Sequence, residues 1–220
     1  MSVSLMDTNS RNVEKALQEH TIDVGMVEGV FRLPSLRYDP FLCDELVSVV
    51  CSRGHWAGKE ELTLEEFVRV PLVLRERGSG TLDAIEMVLA EQGLKLSSLN
   101  VRMHLGSTEG IKSFLRCSNC MGIVSICALE RELKEGDFQV IDIEGLQFKR
   151  HFCFVSAQGQ ESDTVLNFMR LSGTSFPESK GRTKRLFLFF SEFRIDFQQG
   201  GNAEGGQCAN HNPDEEQLVA

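Results

Sequence analysis

Short apolar runs alternate with amphipathic segments along most of this chain, and that alternation restricts the fold more than any other feature. Pro71-Leu72-Val73-Leu74 reads as a buried strand. Gly78-Ser79-Gly80-Thr81 then opens a helix from Leu82 to Glu91, with Leu82, Ile85, Val88 and Leu89 on one face and Gly93 as its stop. Val101 to Leu105 is the next strand, Gly106-Ser107-Thr108 begins a helix reaching about Arg116, and Met121 to Ile126 is another buried strand. Upstream, Val3 to Met6 reads as a strand, Arg11 to Glu19 as a helix with Val13, Ala16 and Leu17 inward, and Ile22 to Val27 as a strand. A strand–helix–strand unit of this kind implies parallel strands. The expectation is an α/β fold.

The rest of the first 171 residues fits that pattern. Leu36 to Cys51 carries strand-like runs, strongest at Leu46-Val47-Ser48-Val49-Val50, and Thr63 with Glu66 has capping-box spacing at the start of a short helix reaching Phe67. Leu129 to Leu133 reads as a short helix, Phe138 to Ile143 and His151 to Val155 as strands, and Thr164 to Leu171 as a closing helix. After Ser172 the composition changes. Lys180 to Arg185 is basic, Leu186 to Phe197 is rich in phenylalanine, and Gln198 to Ala220 is rich in Gly, Asn, Gln and acids, so residues 172–220 read as a largely disordered tail.

Charge and cysteine usage narrow the function. The net charge of −9 argues against a direct nucleic-acid surface, because phosphate binding depends on clustered Lys and Arg. No apolar run approaches the roughly 18 residues of a membrane span, and Met1 is not followed by a secretory pattern, so the reading is a soluble, cytoplasmic protein that does not engage a membrane. Seven cysteines are an odd set and suit reduced thiols. Cys117-Ser118-Asn119-Cys120 has the gap of redox and zinc sites, but no second paired-cysteine motif completes a ligand set. The five histidines show no metal-ligand spacing and stand beside no nucleophile motif, so neither metal, cofactor nor catalytic residues are assigned. Glu65-Glu66 and the run from Glu130 to Glu135 read as solvated helix faces.

The polar turns remain. At Gly78 to Thr81, glycines permit close backbone approach and the following helix offers unpaired N–H groups, so Ser79, Gly80 and Thr81 can either hold an anion or simply cap the helix. Thr8, Asn9 and Ser10 present the same choice at an earlier helix start. Ser125 closes a buried strand, whereas Ser107 and Thr108 read as caps.

Taken in order, these segments resemble the effector domain of LysR-type transcription regulators. The resemblance runs from about Val3 to Leu171. It rests on the junction from Ala16 to Gly25 (ALQEHTIDVG), the strand Asp44-Glu45-Leu46-Val47-Ser48-Val49-Val50, Gly54-His55-Trp56-Ala57 and Leu62 to Phe67. It also rests on Pro71 to Glu76 with Gly78-Ser79-Gly80-Thr81, and on Met121 to Ser125. It implies a two-lobed fold like the type II periplasmic binding proteins, with residues 1–49 and 152–171 in one lobe and 50–151 in the other.

The resemblance also places Thr8, Asn9, Ser10, Ser79, Gly80, Thr81 and Ser125 at an interlobe cleft, where two helix N-termini would face a small anionic or carboxylate effector, without catalysis. In that family a winged helix-turn-helix, a linker helix and a first strand and helix of the sensing domain precede the point where Val3 stands. DNA is therefore expected to be reached only through that other domain. The family's homodimers and tetramers are not expected of this chain, because the first helix is part of the dimer surface. The absent strand would leave an open sheet edge unless Leu186 to Phe190 fills it. Two competing functions share the fold: a transporter's solute-binding protein, and a small transferase or dehydratase.

Overall fold

The computed structural model describes residues 2–28, 30–159, 165–169 and 195–198. In chain order the elements are β1 (Ser2–Leu5), α1 (Ser10–Gln18), β2 (Gly25–Glu28), β3 (Leu36–Cys51), β4 (Glu61–Leu62), α2 (Leu64–Arg69), β5 (Leu72–Arg75) and α3 (Gly80–Glu91). They continue with β6 (Val101–Leu105), α4 (Thr108–Leu115), β7 (Met121–Ser125), α5 (Glu130–Glu135), β8 (Phe138–Val140), β9 (Asp142–Ile143), β10 (Phe148–Ala157) and β11 (Ile195–Gln198). The main sheet has the order β2-β10-β3-β7-β5-β6, with β8 beside β3. Within it β5 runs parallel to both β6 and β7, while β2, β10, β3 and β7 pair antiparallel.

Two apolar cores hang on this sheet. The first gathers Val13 and Leu17 of α1, Val27 of β2, Leu36 and Tyr38 at the start of β3, and Cys153 and Val155 near the end of β10. The second lies further along the same strands and has two sides. Leu72 and Leu74 face Ile85 and Leu89 of α3 together with Phe67 of α2, whereas Val73 faces Ile111 and Leu115 of α4. Successive strand residues point to opposite faces, so a run that is apolar throughout, such as Leu72-Val73-Leu74, needs a helix on each side. Each fully buried Leu or Phe stabilises by about 1.5–3 kcal/mol on transfer alone. β3 and β10 serve both cores: they pair from Phe148 opposite Leu46 to Ala157 opposite Leu36, with a register shift between Phe152 and Cys153.

The helices begin where the sequence supplies caps. Asn9, Thr63, Ser79 and Ser107 each accept a backbone N–H in the first turn of the helix that follows, and Thr63 with Glu66 completes a capping box.

Four expectations change. β1 and β2 do not pair in a parallel unit: β1 pairs antiparallel with β11, Ser2 opposite Gln198 to Leu5 opposite Ile195. That pairing satisfies backbone groups of β1 and also gives Ile195–Gln198, expected to be an irregular part of the tail, a strand's geometry. Leu186 to Phe190 and Lys180 to Arg185 lie outside the described residues. The expected strand from Phe138 to Ile143 divides in two, because β8 pairs with β3 while β9 pairs with β4, and the Ile141 N–H between them donates to the Ser48 carbonyl. Finally, Glu132 is not on a solvated face. It is 1% exposed and holds the ammonium of Lys112 at 2.9 Å and the guanidinium of Arg116 at 3.1 Å.

Candidate functional site

The polar turns singled out above converge where the first core meets the second. β2 ends at Glu28, and its carboxylate lies between the amino ends of α1 and α3. Ser10, the first residue of α1, donates its hydroxyl to Glu28 Oε2 at 2.5 Å. From α3, the Thr81 hydroxyl lies 3.4 Å from Glu28 Oε1, and Arg150 Nη1 of β10 donates to that oxygen at 2.7 Å and to Thr81 Oγ1 at 2.6 Å. Arg150 Nε donates to Asp44 Oδ2 of β3 at 2.8 Å, and the Ser125 hydroxyl donates to Asp44 Oδ1 at 2.9 Å. Arg150 and Asp44 are directly opposed across the β3–β10 ladder and are 5% and 3% exposed. One continuous hydrogen-bonded chain thus runs Ser10, Glu28, Thr81, Arg150, Asp44, Ser125.

Gly80 lets this happen. A Cβ there would stand 2.5 Å from Glu28 Cβ, 2.6 Å from its Oε2 and 2.9 Å from its carbonyl oxygen, so only glycine allows β2 this close to the start of α3. Gly78, at φ +91°, turns the loop so that its carbonyl accepts the Arg11 N–H at 3.2 Å. Asn9 Nδ2 reaches Glu76 Oε1 at 3.4 Å, and Glu76 is paired with Arg75 at 2.9 Å. A cavity of about 310 Å³ opens beside this cluster, lined by Ser10, Arg11, Glu28, Phe31 and Asp83 among others.

The charges of the cluster are set by competition between burial and pairing. Burial pushes the Glu28 carboxyl up, but Arg150, the Ser10 hydroxyl and Arg75 together outweigh it and hold it below the usual glutamate value. Asp44 goes the other way: burial raises it despite Arg150 and Ser125. Burial likewise raises Asp83. For Glu76, burial is overcome by its bonds to Arg75 and Asn9, and the carboxyl is lowered.

Of the seven residues named from sequence, Ser10, Gly80, Thr81 and Ser125 join or shape this chain directly. Ser79 spends its hydroxyl on the Thr81 N–H at 3.2 Å, and Asn9 caps α1 at the Asn12 N–H while touching Glu76. Thr8 lies at the edge, accepting from Asn12 Nδ2 at 3.0 Å. Sequence reasoning missed Glu28, Asp44 and Arg150. Their one signal was a charge within or flanking a strand-like run: Asp44 inside Leu36 to Cys51, Glu28 just after Val27 and Arg150 just before His151. Among the described residues no group of His, Cys, Asp and Glu is arranged to hold a metal ion, the six cysteines are free thiols, and no helix is long and apolar enough to cross a membrane.

Two cores joined by a pair of shared strands, with helix amino ends meeting at the junction, define a two-lobed α/β domain of the type II periplasmic-binding-protein kind. Residues 1–176 match the LysR substrate binding domain, and the chain belongs to that family. It is 30% identical over 166 residues to the HTH-type transcriptional activator CmpR of a Synechocystis strain, covering 75% of this chain and 53% of that protein. The chain spans about half the length of the curated relatives it matches. Among solved structures, the CcmR regulatory domain of Synechocystis PCC6803 in complex with 2-PG superposes with a TM-score of 0.66 at 24% identity, covering 76% of this chain and 79% of that one. The effector-binding domain of QuiR in complex with shikimate gives a TM-score of 0.65 at 15% identity, covering 76% and 77%.

Proposed function

We propose that this domain senses a small anionic effector, a carboxylate or an inorganic anion, in the groove between its lobes, and that occupancy of the groove sets the arrangement of a DNA-binding segment elsewhere in the regulator. One observation carries the reading: hydroxyls and a guanidinium from both lobes converge on a carboxylate at the junction of α1 and α3. A site with that donor geometry suits carboxylate recognition, and the two helix amino ends add partial positive charge. The adjoining 310 Å³ is at the small end of ligand pockets, which fits a compact metabolite. The ligand contacts are assigned to Ser10, Gly80, Thr81, Arg150 and, through Asp44, Ser125. Asn9 and Ser79 hold the helix starts in place, and Thr8 stands at the rim.

The core memberships support a lobe boundary near residues 43–45 of β3 and 150–152 of β10, since Leu46 and Phe148 already pack in the second core and Cys153 in the first. The module acts by differential affinity for two arrangements of its lobes, without catalysis, in the cytoplasm.

Calorimetric titration with a panel of small carboxylates, phosphate and sulfate tests the reading. At least one anion binds the wild-type chain, and Thr81→Val, which keeps the shape and removes the hydroxyl, weakens it about tenfold, the worth of one hydrogen bond to a charged group. Unchanged affinity in Thr81→Val, or no binding by a folded sample, refutes it.

A further inference from the structure

We infer that Glu28 is a built-in competitor for the effector: its side chain occupies the anion position of the groove and clasps the two lobes until an incoming anion displaces it. The inference rests on the anion reading above. Its basis is the list of groups Glu28 holds. Oε2 takes the Ser10 hydroxyl from the first lobe, and Oε1 takes Arg150 and lies within reach of Thr81 on the second. These are the donors that an external carboxylate would need.

Charge balance opposes simultaneous occupancy. The junction holds two buried or nearly buried carboxylates, Glu28 and Asp44, against one guanidinium, Arg150, whose Nε is already committed to Asp44. A further anion beside Glu28 would add repulsion that the cations nearest Glu28 do not offset, since Arg150 is shared with Asp44, Arg75 is tied to Glu76, and Arg11 at the cavity wall already faces Glu14 and Asp83. With Glu28 withdrawn, Arg150 balances Asp44, and the helix ends and two hydroxyls face the newcomer. Room for withdrawal exists, because Glu28 itself lines the 310 Å³ cavity.

An internal ligand of this kind lowers apparent affinity by the fraction of time it vacates the site. It also means that the effector replaces a clasp between Ser10, Thr81 and Arg150 rather than creating one.

Acetate is the probe, because Glu28→Ala removes a carboxymethyl group of nearly the same size. Titration of acetate into the full-length wild-type chain and into Glu28→Ala, followed by calorimetry and by thermal melting, is expected to give at least tenfold tighter binding to the variant. A rise in melting temperature with acetate is expected for Glu28→Ala and not for wild type under matched chloride. If acetate or inorganic phosphate binds both proteins equally, Glu28 does not compete and the inference is overturned while the anion reading stands. If neither protein binds any anion and both are folded, the anion reading itself falls. Should Glu28→Ala fold poorly, rescue of its folding by acetate supports the inference and absence of rescue refutes it. Glu28→Gln, which keeps the side-chain volume, repeats the titration, and an affinity no tighter than wild type likewise overturns it.

Discussion

Replacing Arg150 by Met tests the energetic centre of the junction. Arg150 is 5% exposed and donates to Asp44 at 2.8 Å, Glu28 at 2.7 Å and Thr81 at 2.6 Å, and its guanidinium also lies 4.7 Å over the Phe152 ring. Methionine fills much of the same volume and brings no charge, so packing changes little while two carboxylates lose the cation that pairs with both. Removing one partner of a buried pair costs about 3–5 kcal/mol, because the remaining charge is left without compensation. For a chain of this size each kcal/mol moves the melting temperature by about 2–4 °C, so a fall of roughly 6–20 °C is expected at pH 7. Urea denaturation of Arg150→Met beside the charge-free triple variant Arg150→Met/Asp44→Asn/Glu28→Gln separates charge from packing. The triple variant recovers at least half of the loss. A single-variant loss below about 1 kcal/mol, or no recovery in the triple, shows that these charges are solvated and that the junction does not hold the lobes as described.

Three further outcomes are expected. Gly80→Ala destabilises by about 1–3 kcal/mol in urea titration, because the new methyl group meets Glu28 and its backbone carbonyl inside van der Waals contact. Lys112→Met costs about 1.5–3 kcal/mol by the same assay, since it strips Glu132, 1% exposed, of a bond at 2.9 Å while Arg116 at 3.1 Å still balances the carboxylate. The acid limb of stability also changes. Because Glu28 sits below its unfolded value of 4.5, its contribution is complete above that pH and is lost as pH falls through the lower folded value. The stability gap between wild type and Glu28→Gln is therefore full at pH 6–7 and closes below about 4.5, as followed by melting temperature across pH.

Much of the fold is legible in local sequence because its cues are local. Asn9, Ser79 and Ser107 mark helix starts through bonds that span two or three residues, and Leu72-Val73-Leu74 announces a strand covered on both faces. Those cues also located the turns that meet at the junction. They could not supply Glu28, Asp44 and Arg150, whose pairing joins residues 106 and 122 positions apart and depends on β10 lying between β2 and β3. Glu132 escaped for a related reason. The acid run around it suggests solvent, and only the distant Lys112 explains its burial. The misplaced pairing of β1 came from treating neighbouring strands in sequence as neighbours in space, a tendency that β11 defeats here.

The two strands that serve both cores have a mechanical consequence. Sliding one lobe past the other would shear the whole β3–β10 ladder, so relative motion must take the form of torsion about that ribbon. The ribbon has one pliant point: between Phe152 and Cys153 the register slips, Leu42 and Pro40 face consecutive partners, and the Phe41 ring between them stacks on Phe154 at 4.2 Å. Arg150 lies two residues from that slip. Whatever pulls on its guanidinium therefore acts on a short lever arm, where a small displacement at the groove becomes a rotation of everything attached beyond it.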